Sequence, residues 1–439
     1  MYMDTEAVVV TAANTDEFED EDASFLDNHR HLKRTIQKST SILWSPCRSF
    51  ISLLLVLFMT GLSISAVVLL DQRSRQAALT VLRFHQQEAP PPSSRLSTPT
   101  VQQQQPQPSN WTFRIMQITD IHLGEDENTD WGPEQDVKTF RLLDKLFTYE
   151  EPPDLIVLGG DQLTANNCLH NCTKYYEILG RYLTMQGIPW ATVLGNHDDM
   201  AFEPQGDKET IPHSYTRREL LAVDESFQLS LTQTGPEDVT GASNYVLNVM
   251  APNDKKTNAA VVQIFFLDSG GGTLPEAVDD SQVQWFRREA SLRTDLPAVA
   301  FQHIPASGHV YNIDCTGFRG QGVEQIQDKG LVDAMVESGR FHFLAVGHNH
   351  GNDYCCPHRK SDDNADNNNG NSVDEHDLYF CFGRHSGYGG YGNWQRGVRM
   401  YELMMSPYND NWSEGEDQGK RGSKRQFRWR TWVSSILLA

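Results

Sequence analysis

The stretch Ile115-Met116-Gln117-Ile118-Thr119-Asp120-Ile121-His122 decides how the rest of the chain is read. It is an apolar run of strand character that ends in an Asp-x-His pair. Strands hold the core of an α/β protein, and ligands gather at their carboxyl ends. Working outward, four more polar clusters each follow an apolar run: Gly159-Gly160-Asp161, Gly195-Asn196-His197-Asp198, Gln302-His303 and Gly347-His348-Asn349-His350. A single strand-end Asp is more often a helix cap, and a single His more often a satisfied polar residue. Five such clusters after five strands are hard to produce by chance. Gly160, Gly195 and Gly347 would let backbone approach a shared site closely.

Around these clusters, apolar runs alternate with amphipathic ones. Strands are expected over 114–119, 155–159, 190–194, 261–268, 298–302 and 342–346. Helices are expected over 134–147, 174–185, 215–226, 281–292 and 323–337. The alternation implies βαβ units. Two late runs, 377–382 and 398–403, break the alternation and are expected to form a second sheet.

Asp120, His122, Asp161, Asn196, His303, His348 and His350 supply carboxylate, amide and imidazole donors. Such a mixed set suits Fe, Mn or Zn better than Ca or Mg. Seven donors are too many for one such ion and fit two, with Asp161 in its Gly-Gly-Asp turn as the natural bridge. Two ions about 3.5–4 Å apart can clamp a displacement at phosphorus and supply an activated hydroxide. They also neutralise charge on the phosphoryl oxygens.

The chain has 439 residues and a net charge of -21, which argues against nucleic acid as a partner. Residues 1–48 are polar and charged, with the composition of a disordered tail. Residues 49–70 carry no charge, are mostly Leu, Ile, Val and Phe, and would span about 33 Å as a helix, which reads as a transmembrane segment. It starts too late and runs too long for a signal peptide. Arg30, Lys33, Arg34, Lys38 and Arg48 before it outnumber Arg73, Arg75 and Arg83 after it. That bias favours a cytosolic N-terminus and a lumenal or extracellular domain. Sequons at Asn110, Asn171 and Asn411 all follow the span.

A Pro- and Gln-rich linker fills 71–110, and the folded domain is expected over 111–405. Within it, 358–377 is a low-complexity insertion, and 406–439 reads as a polar, then basic tail. Six of the 7 cysteines lie beyond residue 150: Cys168, Cys172, Cys315, Cys355, Cys356 and Cys381. Cys168 could pair with Cys172, and Cys381 with Cys355 or Cys356, which would close the base of the insertion.

In their order, the five blocks resemble those of the calcineurin-like metallophosphoesterase superfamily over about residues 113–352. A closer likeness, to about Leu403, is to the branch holding the purple-acid-phosphatase-like proteins of plants and a related yeast phosphatase. It is carried by Ile188-Pro189-Trp190, Phe266-Leu267-Asp268-Ser269-Gly270, His348-Asn349-His350-Gly351-Asn352-Asp353 and the Gly- and Tyr-rich run 387–397.

The resemblance implies a four-layer αββα sandwich with two mixed sheets. It assigns Asp120, His122, Asp161 and His350 to a first metal, and Asp161, Asn196, His303 and His348 to a second. It makes His197 the group over the phosphate, stabilising charge or protonating the leaving oxygen, with Asp198 orienting it. Thr164 stands where true purple acid phosphatases place the tyrosine that ligates iron, and they lack a histidine at His122. The purple chromophore is therefore not expected. Asn349 replaces an Asp common in close relatives, at a position that is not a ligand.

The function expected is a metal-dependent phosphatase acting on phosphomonoesters, with a small molecule or a phosphoprotein as substrate. Two alternatives stay open. One is a phosphodiesterase acting on nucleotides or lipid headgroups. The other is a non-catalytic binding protein, which should show eroded ligands.

Overall fold

The computed structural model describes residues 8–11, 85–86, 111–168, 172–204, 209–251, 259–358, 378–405 and 427–437. The stretch 49–70, the three sequon asparagines, the linker 71–110 apart from 85–86 and all but His358 of the insertion 358–377 lie outside them. No helix among the described residues is long and apolar enough to cross a membrane.

The strands are β1 (Val8–Thr11), β2 (His85–Gln86), β3 (Trp111–Ile118), β4 (Leu155–Gly159), β5 (Trp190–Val193), β6 (Tyr245–Met250), β7 (Ala260–Phe266), β8 (Ala298–Phe301), β9 (Phe341–Val346), β10 (Cys355–Pro357), β11 (Tyr379–Phe382), β12 (Gly397–Met405) and β13 (Phe427–Leu437). One mixed sheet runs β1-β13-β12-β3-β4-β5, and β2 pairs with β3. The other runs β10-β11-β9-β8-β7-β6. The helices are α1 (Trp131–Tyr149), α2 (Thr173–Gln186), α3 (Arg217–Glu225), α4 (Asp280–Leu292) and α5 (Leu331–Ser338).

Strand alternation explains the layers. In β3, Phe113 and Ile115 face one way and join Val157, Val193, Ile264, Phe266, Phe301 and Phe343 in a core between the sheets. Met116 and Ile118 face the other way, onto Leu142 and Leu146 of α1, Leu179 and Leu183 of α2, and Leu220 of α3. The second sheet does the same with Phe265, Ala300 and Leu344 against Phe286 of α4 and Met335 of α5. Helices therefore cover the outer face of each of two face-to-face sheets.

Three expectations change. The late strands do not make a sheet of their own. β11 pairs in parallel with β9, and β12 pairs antiparallel with β3, so one extends each sheet. The last helix begins at Leu331 rather than 323, because Lys329 and Gly330 hold left-handed backbone (φ 49° and 83°) that helix cannot continue through. Residues 427–437, expected within a tail, form β13, of which 427–435 pair with β12. Phe427 to Thr431 alternate as a strand does, but Trp432-Val433-Ser434-Ser435 break the alternation. β6, an edge strand beside β7, was also not anticipated.

Three disulfides join Cys168 to Cys172, Cys315 to Cys356 and Cys355 to Cys381. Cys355 and Cys356 are neighbours on one strand, so their side chains point to opposite faces. Cys355 lies directly across from Cys381 on β11, which leaves Cys356 for Cys315.

His309 is fully buried, wedged against the rings of Phe380 and Phe382 at 5.0 and 5.2 Å. Burial pushes its pKa from 6.5 down to about 3. The folded state therefore keeps it neutral, while the unfolded chain takes up a proton below pH 6.5. Stability is present above 6.5 and is lost as the pH falls toward 3, by about 2 kcal/mol between pH 7 and 5. We expect His309→Gln to remove that part of the acid sensitivity. Urea unfolding of both proteins at pH 7 and pH 5 checks this, and equal losses in the two would contradict it.

Candidate metal centre

The carboxyl ends of five parallel strands, three from one sheet and two from the other, point at one place. β3 leads to Asp120 and His122, β4 to Asp161, β5 to Asn196 and His197, β8 to His303, and β9 to His348 and His350. The donors fall into two groups, Asp120–His122–His350 and Asp161–His303–His348, with the ligand atoms of each group within 4.8 Å of one another. Asn196 joins the second group, its Oδ1 3.0 Å from His348 Nδ1.

Asp161 stands between the groups. Its Oδ2 lies 3.7 Å from His122 Nε2 and 3.0 Å from His303 Nε2. All seven expected donors thus meet. Among the described residues, six non-glycines have positive φ, and four of them are Asp120, His122, Asp161 and His348. Each such conformation costs on the order of 1 kcal/mol, and strain of this kind concentrates at functional sites. Gly195 passes close against the site. A Cβ there would sit 2.1 Å from Asp161 Oδ1, so any side chain would displace the bridge.

The residues fit a pair of cations on two observations. First, His350 Nδ1 meets Tyr391 O at 2.9 Å and His303 Nδ1 meets Gly159 O at 2.8 Å. A carbonyl can only accept, so both Nδ1 atoms carry hydrogen and both rings turn Nε2 inward. Second, the inward atoms crowd one another: His303 Nε2 is 3.0 Å from Asp161 Oδ2, and His350 Nε2 is 3.1 Å from His122 Nε2. Electron-rich atoms crowd like this around positive charge. Mixed imidazole, carboxylate and amide donors suit Fe, Mn or Zn.

The electrostatics agree. Burial pushes the His122 pKa well below its usual value and His348 down to about 4, so both offer lone pairs at neutral pH. Burial works against charge on Asp161, yet His303 and His197 beside it hold its carboxyl well below the usual range. Burial also opposes charge on His303, but Asp161 and Asp120 raise it to about 9. This is the residue where positive charge is most in demand.

The site also changes one expected role and supplies two that the sequence left unread. Asp198 does not orient the His197 ring. Its carboxylate accepts from the backbone N–H groups of Gly195, Leu163 and Asp161 at 2.7, 3.0 and 3.1 Å, which clamps two ligand-bearing loops together. Burial, then the nearby Asp161, pushes its carboxyl up to about 7 against those donors. The His197 Nδ1 instead meets Asn166 Oδ1 at 2.9 Å, from a 3-10 turn over Ala165–Asn167. No motif marked Asn166; only its place five residues after Asp161 put it there.

Behind the loop, buried Arg217 holds Gly195 O (3.0 Å), Asp199 and Asp268, so the Asp268 of the resembling block acts by fixing Arg217. Thr164, at the chromophore position, accepts through its hydroxyl oxygen from His122 Nδ1–H at 3.0 Å, which leaves Nε2 facing the site. Such contacts aim metal-binding imidazoles. We expect Thr164→Val to weaken binding of the first cation by roughly 10–100-fold. Chelator competition measures this, and an unchanged affinity would show the hydroxyl to be idle.

Comparison with known proteins places this geometry. The model of the calcineurin-like phosphoesterase family matches residues 113–352. Probable inactive purple acid phosphatase 28 of Arabidopsis thaliana is 27% identical over 339 residues, 69% of this chain and 77% of that one. Probable inactive purple acid phosphatase 14 of the same plant is 24% identical over 332 residues, 67% of this chain and 75% of that one. Phosphatase DCR2 of Saccharomyces cerevisiae is 26% identical over 339 residues, 68% of this chain but only 52% of its own length, so the match spans about half of the yeast protein. Family match and strand-end donors cover the same residues, and the chain belongs to the calcineurin-like phosphoesterase family.

Proposed function

We propose that this chain is a metal-dependent phosphatase that hydrolyses phosphomonoesters, on small molecules or on proteins. The observation that carries the proposal is Asp161, a buried carboxylate standing between the Asp120–His122–His350 group and the His303–His348 pair. In this reading Asp120, His122, Asp161 and His350 hold one cation, and Asp161, Asn196, His303 and His348 hold the other. Bound there, the pair supplies an activated water and neutralises phosphoryl charge.

The chain's own residues do the rest. His197 lies over the first group, its ring 5.1 Å from that of His122. Asn166 Oδ1 accepts from Nδ1–H, which stabilises the imidazolium and leaves Nε2–H to donate to the leaving oxygen. The His197 backbone N–H donates to Asp161 Oδ1 at 2.8 Å, which fixes the ring relative to the bridge. Two plant relatives are named inactive, but a chain that had lost the activity would have no need to keep seven donors aimed inward.

The test is phosphate release by purified protein reconstituted with iron, manganese or zinc, from a nitrophenyl monoester and a bis-nitrophenyl diester side by side. Faster monoester hydrolysis is expected. A faster diester reaction would make the protein a phosphodiesterase, and silence toward both with every metal would end the reading.

The same proposal sets the domain on the lumenal or extracellular side of a membrane crossed by 49–70. The basic excess before that stretch and the three disulfides support it, since disulfides persist in oxidising compartments. Treatment of the cell-expressed protein with a glycosidase should shift its mobility; an unshifted band would count against this side.

A further inference from the structure

The metal-binding face continues outward into an aromatic shelf. The Tyr391 ring lies flat on His350, with centroids 4.0 Å apart and planes 13° from parallel. Tyrosine at a surface usually buries its ring and shows its hydroxyl. Here the order is reversed. The phenol oxygen accepts from Gln321 Nε2 at 2.7 Å and from His350 N at 3.4 Å, and faces His348 O at 3.3 Å, while half of the residue is exposed (50%).

Trp394 stands edge-on to it, with centroids at 6.2 Å. Beyond Trp394 comes Phe318, also 50% exposed. The two meet at Gly320, where a Cβ would lie 2.7 Å from Trp394 Nε1 and 2.8 Å from Phe318 Cε1. The shelf is built stiff. Gly320 N donates to Gly351 O at 2.7 Å, Gly351 N to Gln321 Oε1 at 2.8 Å, and the Cys315–Cys356 disulfide fastens the same loop. Single exposed aromatics are ordinary. A chain of three that starts on a metal-binding histidine and is held in place by its polar atoms is a preorganised surface.

Resting on the phosphatase reading, we propose that Tyr391 determines specificity, favouring phosphate esters whose leaving group carries an aromatic ring stacked on its outer face. With one face on His350, the other is the first apolar plane that a leaving group meets on this side of the cations. Trp394 and Phe318 extend that plane toward the distal part of the leaving group. The ring could belong to an aryl ester or to a nucleobase.

The test uses the full chain loaded with metal and needs no turnover, so it stands apart from the assay above. Phenylphosphonate, methylphosphonate and adenosine 5′-monophosphate compete with inorganic phosphate for binding. Phenylphosphonate should bind about tenfold more tightly than methylphosphonate. Tyr391→Phe should keep that preference, and Tyr391→Leu should cut it below about threefold, with metal content measured in each. If Tyr391→Leu loses metal, Trp394→Leu, which contacts no expected metal donor, is read in its place and should at least halve the preference for adenosine 5′-monophosphate over methylphosphonate. A Tyr391-dependent gain for phenylphosphonate alone identifies an aryl ester, and one for the nucleotide alone identifies a base. Equal binding of all three, or a preference unmoved by both Leu variants, overturns the proposal.

Discussion

Asp161→Asn should leave a folded protein that retains neither cation and hydrolyses phosphate esters on the order of 10³-fold more slowly or worse, since several kcal/mol of charge stabilisation depart with the metals. The substitution is nearly isosteric, and the new amide oxygen can still accept the His197 backbone N–H that Asp161 Oδ1 accepts at 2.8 Å. What it removes is charge at the carboxylate that comes closest to both groups, at 3.7 Å from His122 Nε2 and 3.0 Å from His303 Nε2. Loss at one site would therefore be loss at both. Asp120→Asn is the contrasting case, because Asp120 Oδ1 belongs with His350 at 3.6 Å and lies 4.0 Å from His303. It should weaken the first cation far more than the second.

Without metal, the Asp161→Asn protein should be less stable than the metal-free parent, though still folded. Burial opposes the Asp161 charge, but His303 and His197 outweigh it and hold the carboxyl well below the usual range, so the charged form stabilises the metal-free fold at neutral pH. Elemental analysis beside a thermal melt decides the matter. Two metals per chain in Asp161→Asn would remove the bridge from the account, and a melting point no lower than that of the metal-free parent would mean that the pairing with His303 contributes nothing to folding.

The sequence showed this site well because its donors occupy strand ends, and strand ends are announced locally. The run 115–122 contains both its apolar register and its Asp-x-His terminus, and so does each later block. Three things were hidden for one reason: they depend on partners far along the chain. β13 is a strand because β12 lies beside it. Cys315 pairs with Cys356 because Cys355 is already opposite Cys381. The family resemblance assigns Asp198 to the neighbouring ring, a role that only the fold can check. In the fold its oxygens turn inward to three backbone N–H groups, and His197 finds Asn166 across the gap between β4 and β5. Backbone strain was equally hidden, because nothing in the letters Asp, His, Asp and His marks a positive φ.

His197→Ala should keep both cations and lose turnover by roughly 10²–10⁴-fold, the range that general acid catalysis supplies. Its ring is 5.1 Å from that of His122, and its Nδ1 belongs to Asn166, so its removal takes no ligand away. The size of the loss should depend on the leaving group. An alkoxide needs a proton as the P–O bond breaks, whereas a nitrophenolate departs without one. Alkyl phosphates should therefore suffer most and nitrophenyl phosphate least. A purely structural histidine would slow both alike.

Asn166 tests the same idea one step further back. Its oxygen stabilises the charged ring, so Asn166→Ala should give a smaller defect with the same leaving-group pattern. Combining it with His197→Ala should add little, because Asn166 acts through that ring. Asp198→Asn should behave differently. Its carboxylate ties the loops of Asp161 and Asn196 together, so its loss should appear in metal affinity and melting temperature, and should be indifferent to the leaving group. Should His197→Ala cost the metals, or should the alkyl and nitrophenyl esters fall equally, the proton would have to come from elsewhere.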